Sequence, residues 1–494
     1  MARSKRTREN YMDFSGGLQG FTSPLLLNTN ETPLCTNMDI RRPGKLRKSG
    51  GFLQLGSGTG TGDNRGVFAW NKEDGTSELY QVYNENLYKY TGTASGFNAV
   101  GTALGSTGSA PVEWAVAFIN TGTGVGSAAD TFVERLYMSQ GLDQGTIRFT
   151  TGTAINSVAS IYAKHLEEYK GRLYAGNVKQ GSNTYNTRVI FTDVSGDNFP
   201  NTNYFDDMGE PIKAIKEFSG ALFVFTENKV ATWDEYSLTP LNVNGGTTNS
   251  NTVQISESKL LWYNRGGVFI YAGGTESVLV SRPVTDWIEA ITDADAVTGG
   301  LDNKSRYNLY IGDVTVGGVA YSDVVLRYDV LINAWDVMAN RPFKYWTLNS
   351  AAGVYESYVS DPDSQKIYQS DIGYSLDGST QVSSYQTAKL YGGVDDVDNY
   401  KNAYRVEVVF KPTGKSEFVT VQYRVGGTGT WSNIGGTTDN ISLSGSDEVK
   451  ITELVIPEKA TGKFIELKFS HTSSTGGFEI YGINLIYDIE RNDN

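Results

Sequence analysis

The sequence predicts an all-β fold, in which a β-propeller of about seven blades, with six or eight as alternatives, precedes a C-terminal antiparallel β-sandwich. Three observations predict it. β-Branched and aromatic residues occur in short runs separated by Gly, Asn, Asp and Ser. A short motif recurs along the first three quarters of the chain, and strict alternation of polar and apolar residues marks the last part.

The chain is long enough for several domains and rich in residues that suit strands and turns. It has 494 residues, of which 39% are hydrophobic, with 56 Gly and 30 Tyr. The absence of an apolar run near 18 residues argues against a membrane span, and the basic N-terminus lacks the apolar core of a signal peptide. Because Cys35 is the single cysteine, no internal disulfide is expected. We therefore expect synthesis in the cytoplasm.

The charge is unevenly distributed. The formal net charge is −13, yet the first fifty residues carry nine Lys or Arg against four Asp or Glu. A body this acidic repels nucleic-acid phosphates, so sequence-specific DNA binding is not expected. The first residues, with Arg3, Lys5, Arg6 and Arg8, read either as a solvated tail or as an arm that docks on an acidic neighbouring subunit.

The internal repeat is a turn residue followed by an aliphatic and an aromatic residue. Its aliphatic positions lie 37 to 58 residues apart, a range that brackets the 40 to 50 residues of a four-stranded propeller blade. The seven copies begin at Asn86, Arg135, Arg172, Ala221, Gly267, Asn308 and Lys366. Six tryptophans in the same region are expected to fill the wedges between blades, namely Trp70, Trp114, Trp233, Trp262, Trp287 and Trp335.

The predicted domains are a basic N-terminal segment (1–50), the propeller (51–385), a linker (386–402) and the sandwich (403–494). Period-two alternation over residues 405–410, 419–424 and 464–469 supports the sandwich. The acidic run from Asp395 to Asp398 is read as part of the linker, with a calcium site as the alternative.

The sequence shows no catalytic centre, and we predict that the chain is not an enzyme and uses no cofactor or metal. Only two histidines occur, His165 and His471, which argues against hydrolytic triads and His-based metal sites. His165 is most simply a strand histidine with a structural role. The Gly-rich stretches lack the Gly-Lys-Ser ending and the following helix of a phosphate-binding loop.

Several short segments resemble one known family. Phe14-Ser15-Gly16-Gly17-Leu18, Ser23-Pro24-Leu25-Leu26-Leu27 and the run from Asn37 to Lys48 look like the opening of propeller proteins from bacteriophage tails. The strands around 188–193 and 211–225, and the end around 478–483, are also similar to that family. The chain departs from the pattern in Ser/Thr/Gly-rich insertions near 93–111 and 240–251.

The resemblance implies a structural virion protein in the head-to-tail connector or tail nozzle. It would form a homo-oligomeric ring, expected to be a hexamer, around the DNA-exit channel, with portal, adaptor and other tail proteins as partners and genomic DNA passing without specific binding. In that picture the docking candidates are Arg3, Lys5, Arg6, Arg8, Arg41, Arg42, Lys45, Arg47 and Lys48. Residues 41–48 equally read as a strand-turn-strand that enters the first blade.

Two further functions remain open from the sequence. In the first, a receptor- or glycan-binding protein, the sandwich would present Trp431 to a sugar face. In the second, a propeller glycosidase, carboxylates at the mouth of the propeller would act on polysaccharide. No copy of the Ser-x-Asp-x-Gly-x-Thr-Trp turn of one family of sugar-cleaving propellers is present.

Overall fold

The protein is described by a computed structural model. It covers residues 6–20, 26–41, 44–56, 58, 60–92, 96–101, 110–122, 131–142, 146–158, 161–274, 276–350, 353–391, 399–426, 430–436, 438, 440–445 and 448–490.

The N-terminal segment is built into the rest of the molecule rather than free. Its strands are β1 (Arg6–Tyr11), β2 (Gly17–Leu18), β3 (Glu31–Thr32), β4 (Leu34–Thr36), β5 (Met38–Asp39), β6 (Leu46–Lys48) and β7 (Phe52–Gln54). Strands β2 and β3 pair with each other in parallel. Strand β5 pairs with β6, and β1, β4, β6 and β7 each pair with a strand far along the chain, as described below.

Seven four-stranded units follow, which we call blades 1 to 7. Blade 1 comprises β8 (Asn64–Asn71), β9 (Ser77–Tyr83), β10 (Asn86–Tyr90) and β11 (Phe97–Gly101). Blade 2 comprises β12 (Glu113–Asn120), β13 (Phe132–Ser139), β14 (Arg148–Thr150) and β15 (Ile155–Ser157). Blade 3 comprises β16 (Ile161–Tyr169), β17 (Arg172–Gln180), β18 (Asn183–Phe191) and β19 (Tyr204–Phe205). Blade 4 comprises β20 (Ala214–Phe218), β21 (Ala221–Phe225), β22 (Val230–Trp233) and β23 (Leu238–Pro240). Blade 5 comprises β24 (Gln254–Ser256), β25 (Lys259–Asn264), β26 (Gly267–Tyr271) and β27 (Val278–Leu279).

The last two blades complete the ring and connect it to the rest of the molecule. A short helix, α1 (Thr285–Glu289), leads into blade 6, whose strands are β28 (Thr298–Leu301), β29 (Tyr307–Val316), β30 (Val319–Asp329) and β31 (Ala334–Met338). Blade 7 contains β32 (Tyr345–Asn349), β33 (Glu356–Ser360) and β34 (Ile367–Ser370), and β7 from the N-terminal segment is its outermost strand. Six blades are separate four-stranded sheets, whereas blade 6 is the end of a ten-stranded sheet.

Each copy of the sequence motif lies in a different blade. The copies fall on the second strand of blades 2, 3, 4 and 6 and on the third strand of blades 1, 5 and 7. This difference in strand position accounts for part of the uneven spacing of the motif. Within the described residues, hydrophobic clusters fill the blade interfaces, for example Val67 and Leu79 against Ile367 where blade 1 meets blade 7. Burying one such side chain contributes about 1.5–3 kcal/mol.

The predicted burial of tryptophans between blades is confirmed at four of six positions, whereas Trp287 is buried on helix α1 against Tyr321. Trp70, Trp233, Trp262, Trp287 and Trp335 are buried. Trp114 differs, because it is half-buried and faces the axis of the propeller.

The C-terminal region forms a sandwich with strands from both ends of the chain. Its own strands are β35 (Gln381–Gln386), β36 (Tyr400–Lys411), β37 (Phe418–Val425), β38 (Ser432–Asn433), β39 (Ile441–Ser442), β40 (Lys450–Gly462), β41 (Ile465–Ser473) and β42 (Glu479–Glu490). One sheet has the order β40-β36-β42-β6-β5, with β1 also paired to β42. The other continues from blade 6 through β4, β35, β41, β37 and β38, with β39 also paired to β37.

The structure differs from the predicted domain bounds in two places. The segment 1–50 is not a separate unit, because β1, β5 and β6 belong to one sandwich sheet and β4 belongs to the other. The sandwich also begins before residue 386, since β35 pairs with β41. The acidic run Asp395–Asp398, with its calcium alternative, lies outside the described residues.

Candidate functional site in the axial channel

The first strand of every blade faces a central channel. Residues of β8, β12, β16, β20, β28 and β32, with Gln254 of β24, line one cavity of about 150 Å³. A wider cavity of about 470 Å³ adjoins it and shares Glu113 and Ser250 with it. The two cavities together form a funnel, which we call the axial funnel.

Aromatic rings line the narrow part of the axial funnel. Trp114 and Trp346 belong to the lining, and Trp114 stacks on Phe68 with ring centroids 5.5 Å apart and an interplanar angle of 17°. Trp346 packs directly on Gly300, where an added Cβ would overlap the indole. A larger residue at position 300 would therefore displace Trp346 from the wall.

Four ionisable side chains meet at one side of the axial funnel. Glu113 Oε1 lies 2.7 Å from His165 Nδ1, and Glu113 Oε2 accepts a hydrogen bond from the Leu166 amide at 3.3 Å. On the next blade, Glu167 Oε1 lies 3.0 Å from Lys216 Nζ. We call Glu113, His165, Glu167 and Lys216 the channel cluster.

The channel cluster also ties neighbouring blades together. Glu113 of blade 2 binds the first strand of blade 3, and Glu167 of blade 3 accepts a hydrogen bond from the Glu217 amide of blade 4 at 3.1 Å. His165 is held from both sides, because its Nε2 lies 3.2 Å from the Ile212 carbonyl oxygen. The same side chains thus have a structural role, as predicted for His165.

The electrostatics of the cluster follow from burial and from its two carboxylates. Burial raises the pKa of Glu167, in opposition to the attraction of Lys216, and Glu113 adds to the increase. Burial lowers the pKa of Lys216, but Glu167 and Glu113 outweigh it, so the net direction is upward. Lys216 is therefore protonated at neutral pH, and 35% of its side chain stays exposed.

Sequence reasoning missed this site because its members lie about fifty residues apart in separate blades. Glu113 and His165 are 52 positions apart, and Glu167 and Lys216 are 49 positions apart. The available signal is positional: each lies on the first strand of its blade, upstream of the recurring motif. A search for charged residues at that position would have found them.

The predicted docking residues are largely engaged within the chain. Arg3, Lys5 and Arg42 lie outside the described residues. Arg6 and Arg8 belong to β1, so the prediction of a free arm is wrong for this part, and Arg8 Nη2 lies 2.8 Å from Glu407 Oε2. Strand pairing to β42 supplies the backbone hydrogen bonds that a free arm would leave to water.

The second basic segment is a strand-turn-strand, but it enters the sandwich rather than the first blade. Strand β5 pairs with β6, and β6 pairs with β42. Its cations bind intramolecular partners: Arg41 pairs with Asp329 at 3.4 Å, Lys45 lies 3.2 Å from the Tyr481 hydroxyl, Arg47 pairs with Asp39 at 2.8 Å, and Lys48 donates to the Ser473 carbonyl at 2.8 Å. Docking by these residues remains a prediction.

Trp431, the predicted sugar platform, has two cations over its ring, and Lys468 Nζ is the farther one, 6.0 Å from the ring centroid. The Arg424 guanidinium carbon lies 4.6 Å from the ring centroid, and Arg424 in turn binds Glu466 at 2.9 Å. A sugar stacking on that face would have to displace this ion pair.

Neither a metal site nor a membrane-spanning helix is found in the described part of the chain. No group of three or more His, Cys, Asp or Glu residues that could hold a metal ion occurs there. In the same residues, no helix is long and apolar enough to cross a bilayer.

No family model and no curated protein matches the chain. Among solved structures, it is similar to an exo-β-1,3-galactanase from Phanerochaete chrysosporium in complex with galactose, at 12% identity and a TM-score of 0.27, over 75% of this chain and 95% of that one. It is also similar to the extracellular domain of a one-component system from B. thetaiotaomicron, at 11% identity and a TM-score of 0.29. That match spans 60% of this chain and less than half, 45%, of the other.

These comparisons correct the predicted function. The assignment to a phage connector or nozzle is wrong, because the structure matched over most of the chain is named as a glycosidase, and neither match is named as a virion protein. The physical reason is that several of the resembling segments are strands of the scaffold, such as β18 and β21, which any similar propeller needs. At these identities and TM-scores the likeness does not extend either protein's activity to this chain.

Proposed function

We propose that the protein binds a carbohydrate in the axial funnel. The observation that carries the proposal is the meeting of the channel cluster with Trp114 and Trp346 in one concave site. Indole faces stack on the apolar face of a sugar ring, and carboxylate and ammonium groups bind its hydroxyls. A cavity with a few convergent polar groups and shifted pKa values is also the usual character of a ligand site.

The surroundings of the site suit a polar ligand. The wide part of the funnel is lined by Lys164, Asn177, Lys213 and Asn249. These side chains offer both donors and acceptors, which a ligand with many hydroxyl groups can use at once.

Glycoside hydrolysis is a second candidate, favoured by the raised pKa of Glu167 beside a second carboxylate. A carboxyl group with a raised pKa is suited to protonating a leaving oxygen, while the other carboxylate activates water or stabilises the positive charge. Binding is the leading proposal because both Glu113 oxygens are already hydrogen-bonded within the protein.

Calorimetric titration of the purified protein with neutral, amino and acidic oligosaccharides tests the proposal. The same mixtures are assayed for released reducing ends. Glu167→Gln and Lys216→Met are expected to weaken binding about tenfold or more, since each removes a charged hydrogen-bonding group. Glu168→Gln is the matched control, because Glu168 lies on the same strand and its carboxylate caps the Gly171 amide.

The outcomes separate the candidate sites and activities. Binding that survives both funnel variants but is lost in Trp431→Ala would move the sugar site to the sandwich. Release of reducing ends that Glu167→Gln abolishes would favour the glycosidase. No binding to any member of the panel would reject the carbohydrate proposal.

The family resemblance, the absence of enzymatic activity and the homo-oligomeric ring all stay predictions. Light scattering of the purified chain measures the oligomeric state directly.

A further inference from the structure

A buried cluster of charges lies where the N-terminal segment meets blades 6 and 7. Arg306, Arg327 and Arg341 are only 2%, 2% and 1% exposed. Three guanidinium groups so far from water are costly unless anionic groups compensate them. The carboxylates around them therefore decide whether the cluster is balanced.

Two of the three arginines are matched to carboxylates. Arg327 Nη2 lies 2.9 Å from Asp336 Oδ2 and also donates to the Met38 carbonyl oxygen at 2.9 Å. Arg306 Nε lies 2.7 Å from Asp302 Oδ2, with Asp39 and Asp371 within 4 Å of its terminal nitrogens.

Arg341 is not matched in this way. Its Nη2 donates to the Gly50 carbonyl oxygen at 2.8 Å, and its Nε is buried without a hydrogen-bond partner among the described residues. The rings of Phe52 and Phe343 lie 5.3 and 5.9 Å from its guanidinium carbon. Burial and, to a smaller extent, the charge of Arg327 lower the pKa of Arg341 to about 9, against the attraction of Asp371.

The sum of charges leaves one positive charge in excess. The cations of the described cluster are Arg47, Lys304, Arg306, Arg327 and Arg341, against the carboxylates of Asp39, Asp302, Asp336 and Asp371. Lys48 and Glu417 lie nearby through His471 and add one charge of each sign. The uncompensated charge is at Arg341, which has no carboxylate within ion-pair distance in this part of the structure.

A small cavity lies against Arg341. It has a volume of about 20 Å³, and Arg306, Arg327 and Arg341 all contribute to its lining, together with Asn308. A cavity of this size holds one water molecule or one small ion. The Nη1 atom of Arg306 lies 3.5 Å from Asp39 Oδ1 and is also buried without a hydrogen-bond partner among the described residues. Asp302 and Asp371 belong to the lining too, but each is paired with Arg306 or Lys304.

We propose that this cavity binds a single monovalent anion of the size of chloride, held by Arg341 and Arg306. The anion supplies the negative charge that the cluster lacks and accepts hydrogen bonds from nitrogens that otherwise have none. Its position joins the N-terminal segment, through Gly50, to blades 6 and 7. The site is separate from the axial funnel, although Trp346 contributes to the lining of both.

The first experiment compares thermal unfolding of the whole chain in chloride, in bromide and in gluconate, which is too large for the cavity, at constant ionic strength. Chloride and bromide are expected to raise Tm by roughly 1–3 °C in a saturable manner, since a ligand that binds only the folded state stabilises it. Gluconate gives the baseline. A Tm that depends on ionic strength alone would reject the proposal.

Substitutions locate the effect. Arg341→Met, which keeps the length of the side chain and removes its charge, is expected to abolish the dependence on chloride. Arg265→Met is the control, because Arg265 is 62% exposed. If Arg341→Met does not fold, bromide-soaked crystals of the unaltered protein decide: an anomalous peak between Arg306 and Arg341 supports the site, and a peak-free cavity means that water fills it.

Discussion

Buried Lys48 and His471 and half-buried Glu417 form a chain of polar groups between the N-terminal segment and the sandwich. Lys48 Nζ lies 3.5 Å from His471 Nδ1, and His471 Nε2 lies 3.2 Å from Glu417 Oε2. Burial and, to a smaller extent, the charge of Lys48 lower the pKa of His471 to about 4, and Glu417 opposes both. The imidazole is therefore neutral at pH 7.

This arrangement predicts a loss of stability in mild acid. An unfolded histidine titrates near pH 6.5, so between pH 6.5 and 4 the unfolded chain binds a proton that folded His471 does not. The stabilisation is complete above pH 6.5 and declines as the pH falls toward 4, by roughly 3 kcal/mol in total.

Urea unfolding from pH 7.5 to 4 measures this effect. His471→Gln should show a smaller decline than the unaltered chain over the same interval, because Gln does not titrate. An NMR titration of His471 that gave a pKa near 6.5 in the folded protein would contradict the prediction.

The same group of residues shows what sequence can and cannot reveal at this scale. The basic character of Lys45, Arg47 and Lys48 is evident from their spacing and suggested a docking surface. Some of their partners, such as Tyr481 and Ser473, depend on which distant strands lie near β6. A charge run in sequence does not distinguish a solvated surface from an internal network of ion pairs.

At the scale of single elements, β7 closes the propeller. It pairs with β34 in the register Leu53 to Gln369, and the Leu55 amide extends the ladder by donating to the Ile367 carbonyl at 2.7 Å. A short strand that directly precedes blade 1 in the chain is thus the outermost strand of blade 7. This pairing joins the two ends of the propeller into one ring. Closure of this kind protects sheet edges and removes the freedom of the terminal blade.

Leu55→Pro tests the contribution of this closure. Proline removes the amide that donates to Ile367, so the variant should lose about 1–3 kcal/mol of stability relative to Leu55→Ala. The alanine variant is the control, because it also loses most of the leucine side chain but keeps the amide. Hydrogen exchange should accelerate in β34 first. Equal stabilities of the two variants would show that the closing strand contributes little.

The strand pattern was the most predictable property of the elements. Burial alternates along β36 from Arg405 to Phe410 as the period-two pattern predicts, and all seven motif copies fall on blade strands. Both signals are local, because side-chain direction in a strand depends only on position along it. The pairing of β1 with β42 has no such local signal.

At the scale of the whole molecule, the propeller and sandwich share a sheet and a core. Strand β4 pairs with β31 of blade 6 on one side and with β35 of the sandwich on the other. One hydrophobic cluster contains residues of blades 5 and 6 and of both sandwich sheets, for example Leu309, Val408 and Leu467. The two parts are continuous in their apolar packing.

We therefore expect the two parts to unfold together. Thermal unfolding followed by far-UV circular dichroism and by tryptophan fluorescence should give coincident transitions, because neither part buries its apolar surface without the other. The fragment 403–494 should not fold when produced alone, since it lacks β4, β5, β6 and β35. Two separated transitions, or a folded fragment, would show that the parts are independent.

The sequence by itself determined the all-β class, the recurring blade unit, the approximate number of blades and the alternating strands of the sandwich. These are local properties, set by the spacing of apolar and turn residues along a few positions. The tertiary structure alone decided that the N-terminal segment completes the sandwich and blade 7, and that Glu113, His165, Glu167 and Lys216 meet at the axis. The reason is that closing a ring brings together residues about fifty positions apart, and no short-range pattern records which of them will face each other.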